Sequence, residues 1–233
     1  MAAFFVTGAG TDIGKTWVSA ALLAAWRARG LSPAAVKPVA TGYDPQRPQD
    51  SDAAALLAAL GRPATRAEVE AITLFRFAAP LSPDQAARRE GARLSAEGVA
   101  AACRPLIAAA SGPVLVEAAG GVMSPLNDSE TMLDLAAALG LPAIFVCGSY
   151  LGAISHALTG LAVLKARGVA VPLMLVNETP GSSVDLDETR ATLAAHSGQT
   201  PVLTLARGGE GGAWPQVLTI LDAVVGAVGI EPT

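Results

Sequence analysis

The sequence predicts a three-layer α/β domain, with a mainly parallel sheet covered by helices on both faces. Two observations carry this expectation. Short apolar runs bounded by Gly, Pro or polar residues alternate with longer Ala- and Leu-rich stretches of helical spacing. The runs are apolar throughout, the pattern of strands buried on both faces. Strand–helix alternation implies right-handed crossovers and an active site beyond the carboxyl ends of the strands.

In chain order, Ala3–Thr7 is the first strand and Thr16–Arg29 the first helix. A second strand covers Ala34–Lys37, and Gly42–Ser51 (GYDPQRPQDS) is the best candidate for a long mobile loop. Helices follow at Asp52–Leu60 and Leu94–Ala110, then a strand at Pro113–Ala118 and a helix at Ser129–Leu139. The alternation continues with a strand at Pro142–Gly148, a helix at Gly152–Arg167, a strand at Pro172–Asn177, a helix at Val184–His196 and a strand at Pro201–Leu205. A last helix lies around Pro215–Val228. There is no solenoid-period repeat and no low-complexity linker, so residues 1–233 are expected to form one domain.

Hydrophobic residues make up 52% of the chain but aromatics only 4%, which suits close helix–sheet packing through small side chains. A net charge of −4 gives no electrostatic reason to expect a nucleic-acid partner. Cys103 and Cys147 are far apart and outside any metal-ligand spacing, so they read as buried thiols of a reducing compartment. No run approaches the ~18–20 apolar residues of a membrane span. The N-terminus has no basic region before its short apolar run, and the expected location is the cytoplasm.

Residues 6–16 read VTGAGTDIGKT. Five residues separate Gly8 from Gly14-Lys15-Thr16, so the usual first glycine of a P-loop falls on Ala9. Backbone N–H groups curling around a phosphate need glycine's freedom, a lysine supplies a cation to the β/γ oxygens, and a threonine offers Mg²⁺ a hydroxyl. The helix behind points its positive end at the anion. Two rival readings are a dinucleotide turn, which wants an acidic residue near the end of the second strand, and a plain tight turn.

The chain has thirteen arginines but only three lysines, at 15, 37 and 165. Two of them fall at the expected carboxyl ends of the first two strands, where a compact, strongly hydrated charge is wanted. Lys165 is explained by a helix C-terminus. Glu117 ends a buried strand, an expensive place for a carboxylate without a task. Asp52, in DSD at 50–52, stands before a helix, where Ser51 or Asp52 could equally be an N-cap. Thr16, Asp52 and Glu117, with phosphate oxygens and water, would complete an octahedral Mg²⁺ shell.

The segments GAGTDIGKT, KPVATG at 37–42, DSDA at 50–53, VEAAGG at 116–121, LGAISHA at 151–157 and VNE at 176–178 resemble, in this order and spacing, the dethiobiotin synthetase family. The resemblance runs from residue 4 to about residue 180. It implies a P-loop NTPase-like fold and ATP-dependent closure of a ureido ring on 7,8-diaminononanoate with CO₂ or bicarbonate. It implies Lys37, Lys15 and Thr11 as catalytic groups. The nucleotide would be held by Asp12, Ile13, Gly14, Lys15, Thr16 and Trp17, by Asp52, by Glu117, Ala118, Ala119 and Gly120, and by Asn177 and Glu178. Thr41 would hydrogen-bond the diamine. In a homodimer, Tyr150, Leu151, Gly152, Ala153 and Ile154 of the second subunit would take its carboxylate. Mg²⁺ would sit on Thr16, Asp52 and Glu117.

Several residues depart from the family pattern: Asp12, Thr41, Ala118, Ser155, Asp84 in SPDQAA, and the loop PVLTLARGGE at 201–210. A competing reading is a switch ATPase of the cell-division and partition type, which carries a second lysine five residues before the P-loop lysine; that position is Gly10. A third is an amidotransferase-like ligase, which would need a glutaminase domain or partner and its Cys-His pair. His156 and His196 read as packing residues.

Overall fold

The computed structural model describes residues 2–207 and 213–227. Seven strands form one parallel sheet: β1 (Ala3–Gly8), β2 (Ala34–Thr41), β3 (Thr73–Phe77), β4 (Val114–Glu117), β5 (Ala143–Gly148), β6 (Leu173–Asn177) and β7 (Val202–Leu205). Their spatial order is β3-β2-β4-β1-β5-β6-β7. β1 is therefore central, between β4 and β5, and a ligand at its carboxyl end meets residues from both neighbours.

Alternation along each strand sends successive side chains to opposite faces. Phe5 joins one apolar cluster, while Phe4 and Val6 join the other. On the Phe5 face lie α4 (Pro83–Arg89), α5 (Ala96–Ala109), α6 (Met132–Leu139), α7 (Ala153–Ala166) and α8 (Leu186–His196). On the Phe4 face lie α1 (Lys15–Ala28), α2 (Asp52–Ala59), α3 (Arg66–Ile72) and α9 (Trp214–Ala227). This is the three-layer arrangement that the alternation predicts. Small residues let the layers close: a Cβ on Gly160 of α7 would come within 2.5 Å of the Phe145 ring on β5.

Two features differ from the sequence expectation. β2 runs on to Thr41, so Lys37 sits inside the strand and not at its end. Pro38 does not stop it, because pairing with β4 is confined to Ala34–Val36 and the later residues pair with β3. β3, α3 and α4 lie outside the elements the sequence predicts; β3 is an edge strand whose middle is only half-buried, so LFRF lacks the continuous apolar run of a central strand. Gly42–Ser51 is a loop with one short 3₁₀ turn at Pro48–Asp50. Residues 208–210 of the 201–210 loop, and Val228 at the expected end of the last helix, lie outside the described residues.

Candidate active site

The loop between β1 and α1 is held on both sides. Ala9 N–H donates to Val146 O of β5 at 2.9 Å, and Val122 N–H, beyond β4, donates to Gly8 O at 2.8 Å. Gly121 approaches the backbone of Gly10 so closely that a Cβ would lie 3.2 Å from it. The loop then turns through two left-handed residues, Asp12 (φ 57) and Gly14 (φ 90). Such a conformation gathers backbone N–H groups into an anion-binding concavity. α1 starts at Lys15 without a side-chain cap and without an acidic residue in its first turn, which leaves its leading N–H groups for an anion.

Beside this loop the predicted charged residues converge. Lys37 Nζ, 3% exposed, donates to Glu117 Oε1 at 2.6 Å and to Asp52 Oδ2 at 2.8 Å. Thr16 Oγ1 donates to the same Glu117 oxygen at 2.9 Å. Glu117 is fully buried, and its Oε2 has no partner among the described residues. Burial works against the Lys37 ammonium, but Glu117 and Asp52 outweigh it and hold its pKa above the ordinary lysine value. Burial also works against the Asp52 carboxylate, yet Lys37 and the hydroxyl of Thr16 keep it below its ordinary value. Lys15 differs. Its Nζ donates to Gly10 O at 2.6 Å, and burial, then the charge of Lys37, lower its pKa to about 8.

Lys15, Thr16, Lys37 and Asp52 face a cavity of ≈ 770 Å³ that Thr11, Thr41 and Ala118–Gly120 also line. Its far wall is Pro80–Pro83, of which the sequence marks only Ser82-Pro83, as the start of SPDQAA. The signal was present as Ser82-Pro83, a serine N-cap position followed by proline at the first turn of α4. Ser124 was also missed; its Oγ accepts from Gly121 N–H at 2.8 Å and sets the turn after β4.

A second cleft, ≈ 300 Å³, shares Asp12 and Gly14 with the first and lies on the other side of the loop. Ile13, Trp17, Asn177 and Glu178 line it, with Thr179, Pro180 and, from the 201–210 loop, Arg207. Asn177 ends β6, and its Nδ2 donates to Ile13 O at 2.9 Å and Gly14 O at 3.4 Å. Glu178 Oε2 accepts from the Arg207 backbone N–H at 2.7 Å and so orders the exit of β7.

Tyr150, Leu151, Gly152, Ala153 and Ile154 line neither cavity of their own chain. Leu151 is 94% exposed, and Gly152 (φ 97) caps α7. Tyr150 Oη lies 2.9 Å from His156 Nδ1. Both cysteines are buried and unbridged, and burial pushes each thiol up to about 12. Inert thiols of this kind do not make a glutaminase nucleophile. The carbonyl of Gly10 already engages Lys15, and no second lysine joins the loop.

Among the described residues no three His, Cys, Asp or Glu side chains converge as a metal site. Thr16, Asp52 and Glu117 supply one hydroxyl and two carboxylates around one point, and the unpartnered Glu117 Oε2 is a buried acceptor in want of a cation. This donor set fits a hard, oxygen-loving ion that takes its other ligands from phosphate and water.

The hydrogenase maturation factor HypB from Archaeoglobus fulgidus shares the fold, with a TM-score of 0.60 at 10% identity over 97% of this chain and 90% of that one. A central parallel strand, a Gly-Lys-Thr loop and an uncapped helix define a P-loop nucleotide-binding protein. A family profile described as an AAA domain matches residues 2–211. Proteins named ATP-dependent dethiobiotin synthetase BioD match over nearly the full length. The one from Caulobacter vibrioides is 48% identical, covering 90% of this chain and 94% of its own. That from Phenylobacterium zucineum is 43% identical, covering 94% of each. The chain belongs to the dethiobiotin synthetase family.

Proposed function

We propose that this chain catalyses the ATP-dependent carboxylation and ring closure of 7,8-diaminononanoate with CO₂, giving dethiobiotin, ADP and phosphate. The observation that carries the reading is the meeting of Lys15, at the start of α1, and Lys37, from within β2, in one cavity with Asp52, the buried Glu117 being bonded to Lys37. One amine of the diamine takes up CO₂ and loses a proton, giving a carbamate. A carbamate oxygen attacks the γ-phosphorus of ATP, the bond to the β-phosphate oxygen breaks, and ADP leaves. The second amine attacks the carbonyl carbon of the mixed anhydride, phosphate departs, and the ring closes with the gain of an intramolecular reaction.

The chemistry needs fixed cations over developing negative charge, and no nucleophilic side chain. Lys37 releases Glu117 and Asp52 and turns to the carbamate and γ-phosphate, while Lys15 exchanges Gly10 O for the β/γ oxygens. Thr11 orients phosphoryl oxygens and Thr41 holds the diamine; both line the cavity. Thr16, Asp52 and Glu117 would hold Mg²⁺, which when bound would neutralise phosphate charge. Asn177 reads the adenine. The chain works as one domain and as a homodimer, in which the partner subunit's segment 150–154 receives the substrate carboxylate at the start of its helix. The exposed Leu151 supports that interface. The free, buried cysteines support a cytoplasmic setting, and no helix among the described residues is long and apolar enough to cross a membrane.

The test is phosphate release from Mg-ATP with and without diamine and bicarbonate. Release that requires both, matched one for one by dethiobiotin, is the expected result. Release indifferent to the diamine would sink the synthetase reading.

A further inference from the structure

The far wall of the larger cavity contains a hydroxyl whose proton is already committed. Ser82 lines that cavity at the start of α4. At an ordinary helix start a serine oxygen accepts the N–H of the second or third helical residue. Ser82 does not. Its side chain makes no cap bond, and the N–H of Asp84, the second residue of α4, donates instead to Pro125 O at 3.2 Å. The Ser82 hydroxyl donates to Asp84 Oδ1 at 2.5 Å. Asp84 Oδ2 in turn accepts from Arg88 Nη2 at 3.3 Å, and the same nitrogen reaches Asp128 Oδ1 at 3.2 Å. The Asp84 side chain, only 13% exposed, is thus fixed from behind the wall.

A hydroxyl has one proton to give and two lone pairs to offer. With its proton on Asp84 and no cap bond to its oxygen, Ser82 meets a ligand as an acceptor. The two lysines of the cavity can only donate, and Lys37 already engages Asp52. Anionic groups of a substrate therefore go to the lysines, and an N–H donor goes to Ser82. We propose that Ser82 accepts an N–H of the diamine's second amine, the one that closes the ring, and that Asp84 is the positioning residue that keeps Ser82 an acceptor. This rests on the reaction proposed above and adds to it how the attacking amine is aimed. An amine held by its N–H points its lone pair away from Ser82, toward the carbonyl carbon on the lysine side, as a near-attack geometry requires. The wall is pinned to the end of β2: Gly42 N–H donates to Ala79 O at 3.1 Å, and a Cβ on Gly42 would lie 3.2 Å from the Pro80 ring.

The experiment measures phosphate and dethiobiotin together, on the full chain with saturating Mg-ATP, bicarbonate and diamine. When the second amine is misaimed the mixed anhydride still forms, but water attacks it and returns carbamate and phosphate. Ser82→Ala is therefore expected to release more than one phosphate per dethiobiotin. Its rate of dethiobiotin formation should fall by about ten- to a hundredfold, the scale for a small misplacement of reacting groups. Ser82→Thr keeps the hydroxyl and restores the one-for-one ratio. Asp84→Asn, whose amide can donate to Ser82 as well as accept from it, raises the ratio in part. ATP affinity, read by calorimetry, stays unchanged in all three, which shows that the fold is intact. A one-for-one ratio in Ser82→Ala, whatever its rate, would overturn the proposal while the wild type still makes dethiobiotin. The same ratio in Asp84→Asn overturns the part given to Asp84, and it decides alone if Ser82→Ala no longer binds ATP. A wild type without diamine-dependent phosphate release would overturn the reaction reading and this proposal with it.

Discussion

Lys37 Nζ and Glu117 Oε1 lie 2.6 Å apart on β2 and β4, adjacent strands of the sheet, with both side chains almost entirely removed from water. Breaking a buried pair by removing one partner is far costlier than replacing both, because the remaining charge is left without compensation. Lys37→Ala should therefore lose about 3–5 kcal/mol of stability as well as at least ~10²-fold in turnover. The double variant Lys37→Met/Glu117→Gln should regain most of the stability and none of the turnover. Denaturant melts beside phosphate-release rates check this. A double variant as unstable as the single one would show that the pair is not the source of the loss.

Lys15 titrates near 8 in the fold, below the 10.5 of a free lysine. Between those values the unfolded chain binds the extra proton, so the ligand-free protein gains stability as pH rises from about 8 to about 10.5, and below that window the penalty is constant. A bound triphosphate favours the ammonium and reverses the effect. Nucleotide binding at pH 9 should take up a proton, with less uptake at pH 7.5, and affinity should fall as pH rises above about 8. Calorimetry in buffers of different ionisation heat reads the uptake directly. Equal uptake at both pH values would exclude Lys15 as the group.

Gly14 carries two constraints, a φ of 90° and the amide of Asn177, 2.2 Å from where a Cβ would stand. Gly30 carries only the first, with φ 79° and nothing within 4 Å. Gly30→Ala should cost about 1–2 kcal/mol of stability and leave ATP affinity alone. Gly14→Ala should also displace Asn177 from Ile13 O and Gly14 O and weaken ATP at least tenfold. Similar ATP affinity in the two variants would mean that the Asn177 contact does not shape the nucleotide site.

Leu151 tests the proposed dimer. Leu151→Asp puts a charge on a side chain that is 94% exposed in one protomer and lines neither of its cavities. Light scattering should show monomers, ATP binding should persist, and kcat/KM for the diamine should collapse. A variant that stays dimeric with full activity would remove this loop from the interface.

The sequence disclosed the central strands and the chemistry at their ends for one physical reason. Strands buried on both faces are uninterrupted apolar runs, and a buried Glu117 or Lys37 stands out against them. The edge was harder to read. β3 is half-buried and carries Arg76, and β2 continues past Pro38, where a proline ordinarily argues against a strand. The cavity wall at Pro80–Pro83 depends on β3, so the sequence marks only its Ser82-Pro83 end. Arg207 lies in the 201–210 loop that departs from the family pattern, and its place depends on a long-range contact with Glu178, which local spacing does not encode.

Lys37 is the shared partner of Glu117 and Asp52. In the proposed mechanism the lysine occupies the carboxylates assigned to Mg²⁺, and the carboxylates occupy the lysine assigned to the carbamate. One ammonium faces two carboxylates, so the cluster carries a net negative charge. Neither bare phosphate nor bare metal finds both halves open, so the site should fill cooperatively, each ligand releasing the group that receives the other.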